Sequence, residues 1–321
     1  MKKTRIIIAA MMLMMSAVAF GQSKVYMTKE ITPESLVKIY KALGVEAKGR
    51  VAVKISTGEG GNTHYLKPTL IRQLVDEVNG TIVECNTAYG GSRQDPKKHW
   101  ETIHEHGFDS IFAVDLMDEF SQIRIPIQDK KHLKYDIVGE HLANYDFMIN
   151  LAHFKGHAMG GFGGVMKNAS IGVASTAGKC YIHSAGKTDD PKLAWTPDYL
   201  AAGKTQDDFL ESMAAAAQAV HNYFNGKVIY INVMNNMSVD CDCDGHPAKP
   251  ELKDMGIMAS LDPVALDQAC LDKVFNYQGK PGDDNKPLIQ RINRQHGTYI
   301  TDYAEQIGLG SKKYKLISID R

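Results

Sequence analysis

The feature that most limits the fold of this chain is a series of short apolar runs separated by longer amphipathic segments. The runs are rich in β-branched residues and nearly continuous rather than alternating, as in strands buried on both faces of a sheet. They are RVAVKI (50–55), TIVEC (81–85), DFMINLA (146–152), KVIYINV (227–233), GIMAS (256–260) and KLISI (315–319). We therefore predict strands of a mainly parallel sheet at these positions.

Helical patterns lie between these runs. Thr32 stands directly before Pro33, a pair that is typical of a helix N-cap and first turn. LIRQLVDEV (70–78) places apolar residues three and four apart, and DDFLESMAAAAQAVHNYF (207–224) is long and rich in alanine. Strands that alternate with helices predict an α/β fold with a mainly parallel sheet and helices on both faces. The length allows one domain or two intertwined α/β lobes.

The amino terminus carries a different pattern. MKKTRIIIAAMMLMMSAVAFGQ has a basic start, an apolar run and small residues near its end, which is typical of a secretory signal peptide. The run is short for a membrane span, so an uncleaved anchor is the weaker alternative. We predict that residues 1–21 are a signal peptide cleaved near Gly21 and Gln22. Residues 22–321 would then form a periplasmic or otherwise exported α/β domain without stable membrane insertion.

Net charge bears on whether the protein binds nucleic acid, and cysteine content bears on whether it can form disulfides. The formal net charge is zero at pH 7, so the composition does not indicate electrostatic binding to nucleic acid. We therefore expect no nucleic-acid partner. The chain has five cysteines, an odd number that leaves at least one thiol over even where disulfides form. Cys85 and Cys270 lie in apolar stretches and are expected to be buried thiols.

A glycine-rich segment follows one predicted strand. HFKGHAMGGFGGVMKNASIG (153–172) begins where the run DFMINLA ends, and parallel sheets bind ligands at the carboxyl ends of their strands. N–H groups in such a segment can cradle an anion. We predict that it forms one wall of a ligand site, with a solvated surface loop as the alternative. The glycines expected to contact the ligand or cofactor are Gly160, Gly161, Gly163 and Gly164.

Three titratable residues, His157, Lys167 and His183, lie in glycine-rich surroundings in and after this segment. A histidine can exchange a proton near neutral pH, and a lysine can bind an anion or become a nucleophile where desolvation lowers its pKa. A second histidine can ligate a transition metal. We predict catalytic roles for His157 and Lys167, cofactor binding by Lys167 and metal ligation by His183.

A second ligand-rich segment, VDCDCDGHP, follows the run KVIYINV. The thiolates of Cys241 and Cys243, together with His246, suit zinc or another transition metal. The C-x-C spacing differs from the C-x-x-C of structural zinc sites. A disulfide between the two cysteines and a polar turn without a ligand are the alternatives. We predict Cys241 and Cys243 as metal ligands.

The sequence resembles a known family along most of its length. NLAHFKGHAMGGFGGVMKNASIGVASTAGKCYIHSAGK is similar to the core motif of the domain-of-unknown-function 362 family, and INVMNNMSVDCDCDGHPAKPELKDMGIMASLDPVALDQACLDKVF agrees with another part of it. Some members carry a ferredoxin insert with four-cysteine motifs after the first segment. This chain has no cysteine between His183 and Cys241, so the resemblance does not imply a ferredoxin-type cluster.

A more distant resemblance is to the nickel-pincer lactate racemases, which have a histidine, a glycine-rich lysine segment and a later histidine at about this spacing. The resemblance implies that Lys167 tethers an organic cofactor, that His183 binds nickel and that His157 moves a substrate proton. Another catalytic histidine of the racemases has no counterpart in the loop CNTAYGGSR, which offers Tyr89 and Arg93 instead. We take the resemblance as a prediction of architecture and of site location.

These patterns predict an exported enzyme that acts on a small anionic molecule. It would depend on a transition metal (nickel, iron or zinc) or on a metal-containing organic cofactor. An iron–sulfur or other metal-centre redox protein is the first alternative. A binding protein that holds a carboxylate or phosphate without catalysis is the second.

Overall fold

The computed structural model describes residues 22–197 and 205–320. The predicted signal peptide, residues 1–21, lies outside the described residues. Within the described part, no helix is both long enough and apolar enough to cross a membrane.

Strands and helices alternate along most of the described chain. The strands are β1 (Ser23–Thr28), β2 (Val51–Lys54), β3 (Gly80–Glu84), β4 (Val114–Leu116), β5 (Gln122–Pro126), β6 (Tyr135–Gly139), β7 (Phe147–His153), β8 (Lys155–His157), β9 (Gly161–Gly163), β10 (Val228–Met234), β11 (Gly256–Ser260) and β12 (Tyr314–Ser318). The helices are α1 (Pro33–Ala42), α2 (Pro68–Glu77), α3 (Pro96–Glu105), α4 (Val165–Ser170), α5 (Thr176–His183), α6 (Pro191–Ala194), α7 (Gln206–Tyr223), α8 (Pro263–Phe275), α9 (Lys286–Arg294) and α10 (Tyr299–Gln306). Every strand predicted from the apolar runs is present, within one residue of its predicted bounds.

Eight strands form one sheet in the order β12-β1-β11-β10-β7-β2-β3-β4. β11 pairs antiparallel with β1 and β10, whereas the other neighbours pair parallel. Seven strands therefore run in one direction, which confirms the predicted α/β fold with a mainly parallel sheet. The segments that follow β2, β3, β7 and β10 consequently meet at one edge of this sheet.

Hydrophobic cores cover both faces of the sheet. Along β7, Met148 and Ala152 belong to one core, whereas Ile149 and Leu151 belong to the other. The first core includes side chains of α4, α7, α8 and α10, and the second includes side chains of α1, α2 and α3. A strand that is buried on both faces needs no polar alternation, which explains the continuous apolar runs in the sequence.

The short helix α4 is fixed in place by a buried carboxylate of α8. Asp267 accepts the backbone N–H groups of Val165 and Met166, each at 3.0 Å, and the side-chain amide of Asn232 at 2.8 Å. A Cβ atom at Gly164 would lie 2.2 Å from Asp267 Oδ1, so only glycine fits at this position. Asp267 thereby determines where α4 places its side chains at the edge of the sheet.

We expect Asp267→Asn to lower the free energy of unfolding by about 1–3 kcal/mol, because an amide nitrogen would face one of the two backbone donors. Urea denaturation followed by circular dichroism measures this change. Asp76→Asn, which alters an exposed carboxylate on α2, is the matched control and should change stability by less than about 0.5 kcal/mol. Equal effects of the two substitutions would contradict the anchoring role of Asp267.

Candidate functional site

A cavity of about 270 Å³, called the central cavity below, lies at the carboxyl ends of β2, β3 and β7. Its volume is close to the lower end of the range for small-molecule sites, about 300–1,000 Å³. The charged, titratable and sulfur-containing side chains that line it are Lys54, Glu84, Cys85, Tyr89, Arg93, His157, Met159, Lys167, Lys179, His183 and Cys243. The structure thus brings together the predicted residues His157, Lys167, His183 and Cys243.

Glu84, the last residue of β3, holds two of the lining cations. Its carboxylate accepts hydrogen bonds from Lys54 Nζ at 2.8 Å and from Arg93 Nη1 at 3.2 Å. Burial opposes ionisation of Glu84, but Lys54 and Arg93 outweigh it and lower its pKa to about 2. Arg93 also donates to Glu59 at 3.4 Å, so its guanidinium is held between two carboxylates. These ion pairs join the loops that follow β2 and β3.

Asp242 likewise joins two parts of the site by hydrogen bonds: the end of β7 with β8, and the segment that follows β10. It accepts from His153 Nδ1 at 2.7 Å and from Lys155 Nζ at 2.6 Å, while His153 Nε2 lies 2.5 Å from the carbonyl oxygen of Asn235. Both ring nitrogens of His153 therefore lie within hydrogen-bond distance of oxygen atoms. Burial opposes ionisation of Asp242, but Lys155 and His153 outweigh it and hold its pKa well below the usual range.

Lys167 differs from the other cations of the site. Among the described residues, none forms a hydrogen bond or ion pair with its amine, which faces the central cavity. Burial, followed by the positive charges of Lys155 and Arg93, lowers the pKa of Lys167 to about 7. A large fraction of the amine is therefore neutral at pH 7. It can act as a nucleophile, or it can take up a proton when an anion binds beside it.

His157, the last residue of β8, has a defined tautomer. Its Nδ1 accepts the backbone N–H of Gly160 at 2.8 Å and that of Met159 at 3.3 Å. A neutral ring that accepts at Nδ1 carries its hydrogen on Nε2. Burial, followed by the charges of Lys167 and His183, lowers the pKa of His157 well below its usual value. The geometry therefore favours a neutral hydrogen-bond donor, and the proton-moving role of His157 stays a prediction.

His183, the last residue of α5, has the opposite tautomer. Its Nδ1 lies 2.7 Å from the carbonyl oxygen of Lys179, so Nδ1 carries the hydrogen and the lone pair of the neutral ring is on Nε2. The ring stacks on Phe209 and contacts Trp195. Metal-ligating histidines commonly have this arrangement, in which a backbone carbonyl orients the ring. Metal binding by His183 stays a prediction.

Cys241 and Cys243 are joined by a disulfide, the alternative that the sequence left open. Disulfide sulfurs are not thiolates, so metal ligation by these cysteines stays a prediction that requires their reduction. One ligand atom each from His157, Cys241 and Cys243 lie within 4.8 Å of one another. The other cysteines, Cys85, Cys180 and Cys270, are buried free thiols, as expected for the first and last of them.

The glycines of the segment serve packing in this structure. Gly161 has a φ of +82°, and a Cβ atom there would lie 2.9 Å from Gly297 Cα. Gly164 faces Asp267, as described above. Among the described residues that line the central cavity, none is Gly160, Gly161, Gly163 or Gly164. Close approach to neighbouring elements therefore accounts for Gly161 and Gly164, and ligand binding by the four glycines stays a prediction.

Three charged residues of the site were not predicted as site residues from the sequence. They are Glu84, Lys179 and Asp242. Glu84 ends an apolar run, and a charged residue at the carboxyl end of a buried parallel strand is the signal that could have identified it. Asp242 lies between Cys241 and Cys243, and the sequence analysis predicted these two cysteines, rather than the aspartate, as the site residues.

We expect Asp242→Asn to lower the free energy of unfolding by about 3–5 kcal/mol, because Lys155 would remain buried without its counter-charge. The folded-state pKa of Asp242 is depressed, so its stabilisation is complete above the unfolded pKa of about 4 and is lost as the pH falls further. The difference between wild type and variant should shrink accordingly in acid. Denaturant titrations at pH 7 and pH 3.5 measure both effects.

Asp244→Asn is the matched control, since Asp244 is exposed and lies two residues away in the same segment. It should alter stability by less than about 0.5 kcal/mol at either pH. A loss in Asp242→Asn that is no larger than in this control would show that the ion pairs are not needed for folding.

Comparisons with solved structures give distant similarities. The lactate racemase apoprotein from Thermoanaerobacterium thermosaccharolyticum is 14% identical, with a TM-score of 0.37, over 66% of this chain and 50% of that chain. A structural genomics target from Thermotoga maritima is 11% identical, with a TM-score of 0.43, over 87% of this chain and 59% of that chain. This chain thus spans about half the length of the racemase. No curated protein matches the sequence.

A family model gives a direct assignment. The model described as Domain of unknown function (DUF362) matches residues 51–272, which is more than half of the chain. The match includes both glycine-rich and cysteine-containing segments of the site, and it confirms the family predicted from the motifs. The protein belongs to the DUF362 family.

Proposed function

We propose that this protein is an enzyme that acts on a small anionic molecule, a carboxylate or a phosphate, in the central cavity. One observation carries the proposal: four basic side chains, Lys54, Arg93, Lys167 and Lys179, line the cavity, and among the described residues Glu84 and Glu59 pair with Lys54 and Arg93 but not with Lys167. Buried cations without enough counter-charge are unfavourable, so the cavity favours an anion that completes the charge balance. The volume of about 270 Å³ limits that anion to a small molecule.

Lys167 is the proposed reactive group. Lys54 is held by Glu84, and Lys179 donates to the carbonyl oxygen of Ala174 at 2.5 Å, whereas the Lys167 amine faces the cavity. A neutral amine beside other cations is the usual form of a lysine nucleophile. When the anion adds its negative charge, the same amine becomes protonated and binds it as an ammonium group. Because its pKa is about 7, both the neutral and the protonated form of Lys167 are accessible near neutral pH. Lys167 can therefore take part in anion binding and in the reaction.

The two histidines supply complementary groups to the cavity. His157 donates from Nε2 to an oxygen of the bound anion and stabilises negative charge that develops on that oxygen. Nearby positive charge disfavours protonation of His157, so the ring is better suited to donate a hydrogen bond in its neutral form than to accept a proton. His183 lines the same cavity, and its proposed role there is to ligate a metal.

A transition metal or a metal-containing organic cofactor is part of the proposal. His183 has the backbone-oriented ring of a metal-ligating histidine, and the Lys167 amine suits a covalent bond to an organic cofactor. Cys241 and Cys243 could ligate a metal only after their disulfide is reduced. A bound metal would supply a Lewis acid that polarises a substrate oxygen.

Export to the periplasm is also part of the proposal. The sequence pattern at residues 1–21 supports it, and so does the disulfide, because disulfides persist in oxidising compartments and are rare in the cytosol. The anionic substrate would accordingly be one that is present outside the inner membrane.

Turnover of an anion pool tests the enzymatic proposal. Protein purified from the periplasm is incubated with a mixture of small organic acids and phosphate esters, and mass spectrometry follows each compound. We expect the wild type and the exposed-site control Lys313→Met to consume at least one compound, and Lys167→Met to consume none. Anion binding by a folded wild-type protein without any turnover would instead favour the non-catalytic alternative.

Anion affinity should fall as the pH rises through about 7, the pKa of Lys167. Above this pH the free protein must take up a proton to form the complex, which weakens binding by about tenfold per pH unit. Calorimetric titration with oxalate, whose own charge is constant between pH 6 and pH 9, measures the slope. Lys167→Met should bind more weakly and without this slope, whereas Lys313→Met should keep it. A wild-type affinity that does not depend on pH would contradict the role of Lys167.

A further inference from the structure

Cys243 of the Cys241–Cys243 disulfide lines the central cavity, and the proposed chemistry of Lys167 does not use this bond. We propose that this pair is a redox-active couple, which a small anionic dithiol reduces through the cavity. The proposal is independent of what substrate the cavity binds. It rests on what the bond contributes to folding, on which sulfur is accessible, and on the charges around it.

The bond contributes little to holding the fold together. It joins residues two apart in sequence, and the entropic effect of a disulfide on the unfolded chain grows with the length of the loop that it closes. Other interactions already fix this segment: the Asp242 ion pairs, the Glu59 N–H donated to the Asp242 carbonyl at 2.7 Å, and Arg291 donating to the Val239 carbonyl at 2.7 Å. The segment should therefore keep its place when the bond is broken.

Access to the two sulfurs is unequal. Cys243 is partly exposed and lines the central cavity, whereas Cys241 is only 5% exposed and is absent from the described lining residues. A small molecule in the cavity can reach Cys243, but a folded protein domain cannot enter a space of about 270 Å³. The geometry therefore assigns attack to Cys243 Sγ and the leaving position to Cys241 Sγ.

The surroundings favour thiolates and an anionic partner. Arg93, Lys167 and Lys179 line the same cavity as Cys243, and nearby positive charge stabilises both an attacking thiolate and the thiolates that result from reduction. One ring nitrogen of His157 lies within 4.8 Å of both sulfurs, which places a further polar group close to the bond. A dithiol that carries a carboxylate would be attracted by the same cations.

The reaction is an ordinary thiol–disulfide exchange. A thiolate of the dithiol attacks Cys243 Sγ, the Cys241–Cys243 bond breaks, and Cys241 leaves as a thiolate and takes up a proton. The second thiol of the partner, after losing its proton, then attacks the mixed disulfide and releases Cys243, which becomes a thiol. The partner ends as a cyclic disulfide, and two electrons and two protons have passed to the protein.

Matched dithiols test the proposal on the folded protein. Wild-type protein is treated at low salt with dihydrolipoate or with its neutral amide, dihydrolipoamide, which carry the same dithiol. The mixture is quenched with iodoacetamide, and mass spectrometry locates the alkylated cysteines while circular dichroism monitors folding. We expect labels at Cys241 and Cys243 alone, with dihydrolipoate faster by about tenfold and the advantage lost at high salt. Lys179→Met should reduce this advantage and Lys313→Met should not.

Three results would overturn the proposal. Labelling of Cys241 and Cys243 only in denaturant would mean that the bond is inaccessible in the folded protein. Equal rates for the two dithiols at low salt would remove the assignment of an anionic partner. A large fall in the thermal midpoint of the reduced protein would assign the bond a structural role. Each result can be obtained whether or not an anion substrate is found, so failure here is distinct from failure of the proposed enzyme.

Discussion

The carboxylate of Asp242 is the interaction on which the site depends. It connects the segment that follows β10 to His153 at the end of β7 and to Lys155 at the start of β8. The backbone of the same residue accepts the N–H of Glu59, which lies in the loop after β2. One residue therefore joins three segments that leave the sheet at separate strands. Glu84 makes the corresponding connection between β2 and β3, and the central cavity lies among the segments that these two carboxylates hold.

Most of the sheet could be predicted from the sequence because burial on both faces leaves a local signature. Continuous β-branched runs marked β2, β3, β7 and β10, and their carboxyl ends could be expected to meet at one edge. The hairpins β5–β6 and β8–β9 left no such signature. β8 and β9 are three residues each, and the sequence KGH of β8 has no strand pattern. Tertiary contacts, rather than local propensity, make these residues extended.

The position of the site in the fold could be predicted from the sequence, but the tautomers of its histidines and its ion pairs could not. His157, Lys167 and His183 could be placed together from their glycine-rich surroundings after one strand, from the rule that parallel strands carry ligand sites at their carboxyl ends, and from the family resemblance. The tautomers of the two histidines depend on single backbone contacts, of Gly160 with His157 and of Lys179 with His183, which no spacing reveals. The ion pairs of Asp242 join residues 89 and 87 positions apart, so no local pattern records them. The glycines likewise suggested an anion cradle, whereas their visible contacts are with neighbouring elements.

Charge connects the two proposals. Among the described residues, none pairs a carboxylate with Lys167 while Cys241 and Cys243 form a neutral disulfide, and an anionic ligand can supply that negative charge. Reduction produces two thiols whose ionisation is favoured by the same cations. Each thiolate would supply part of the missing charge and would raise the pKa of Lys167 toward its ordinary value. The reduced protein should therefore bind an external anion less tightly, and by linkage a bound anion should favour the disulfide. The positive charge of the cavity would thus influence both the affinity for an anion and the thiol–disulfide equilibrium of Cys241 and Cys243.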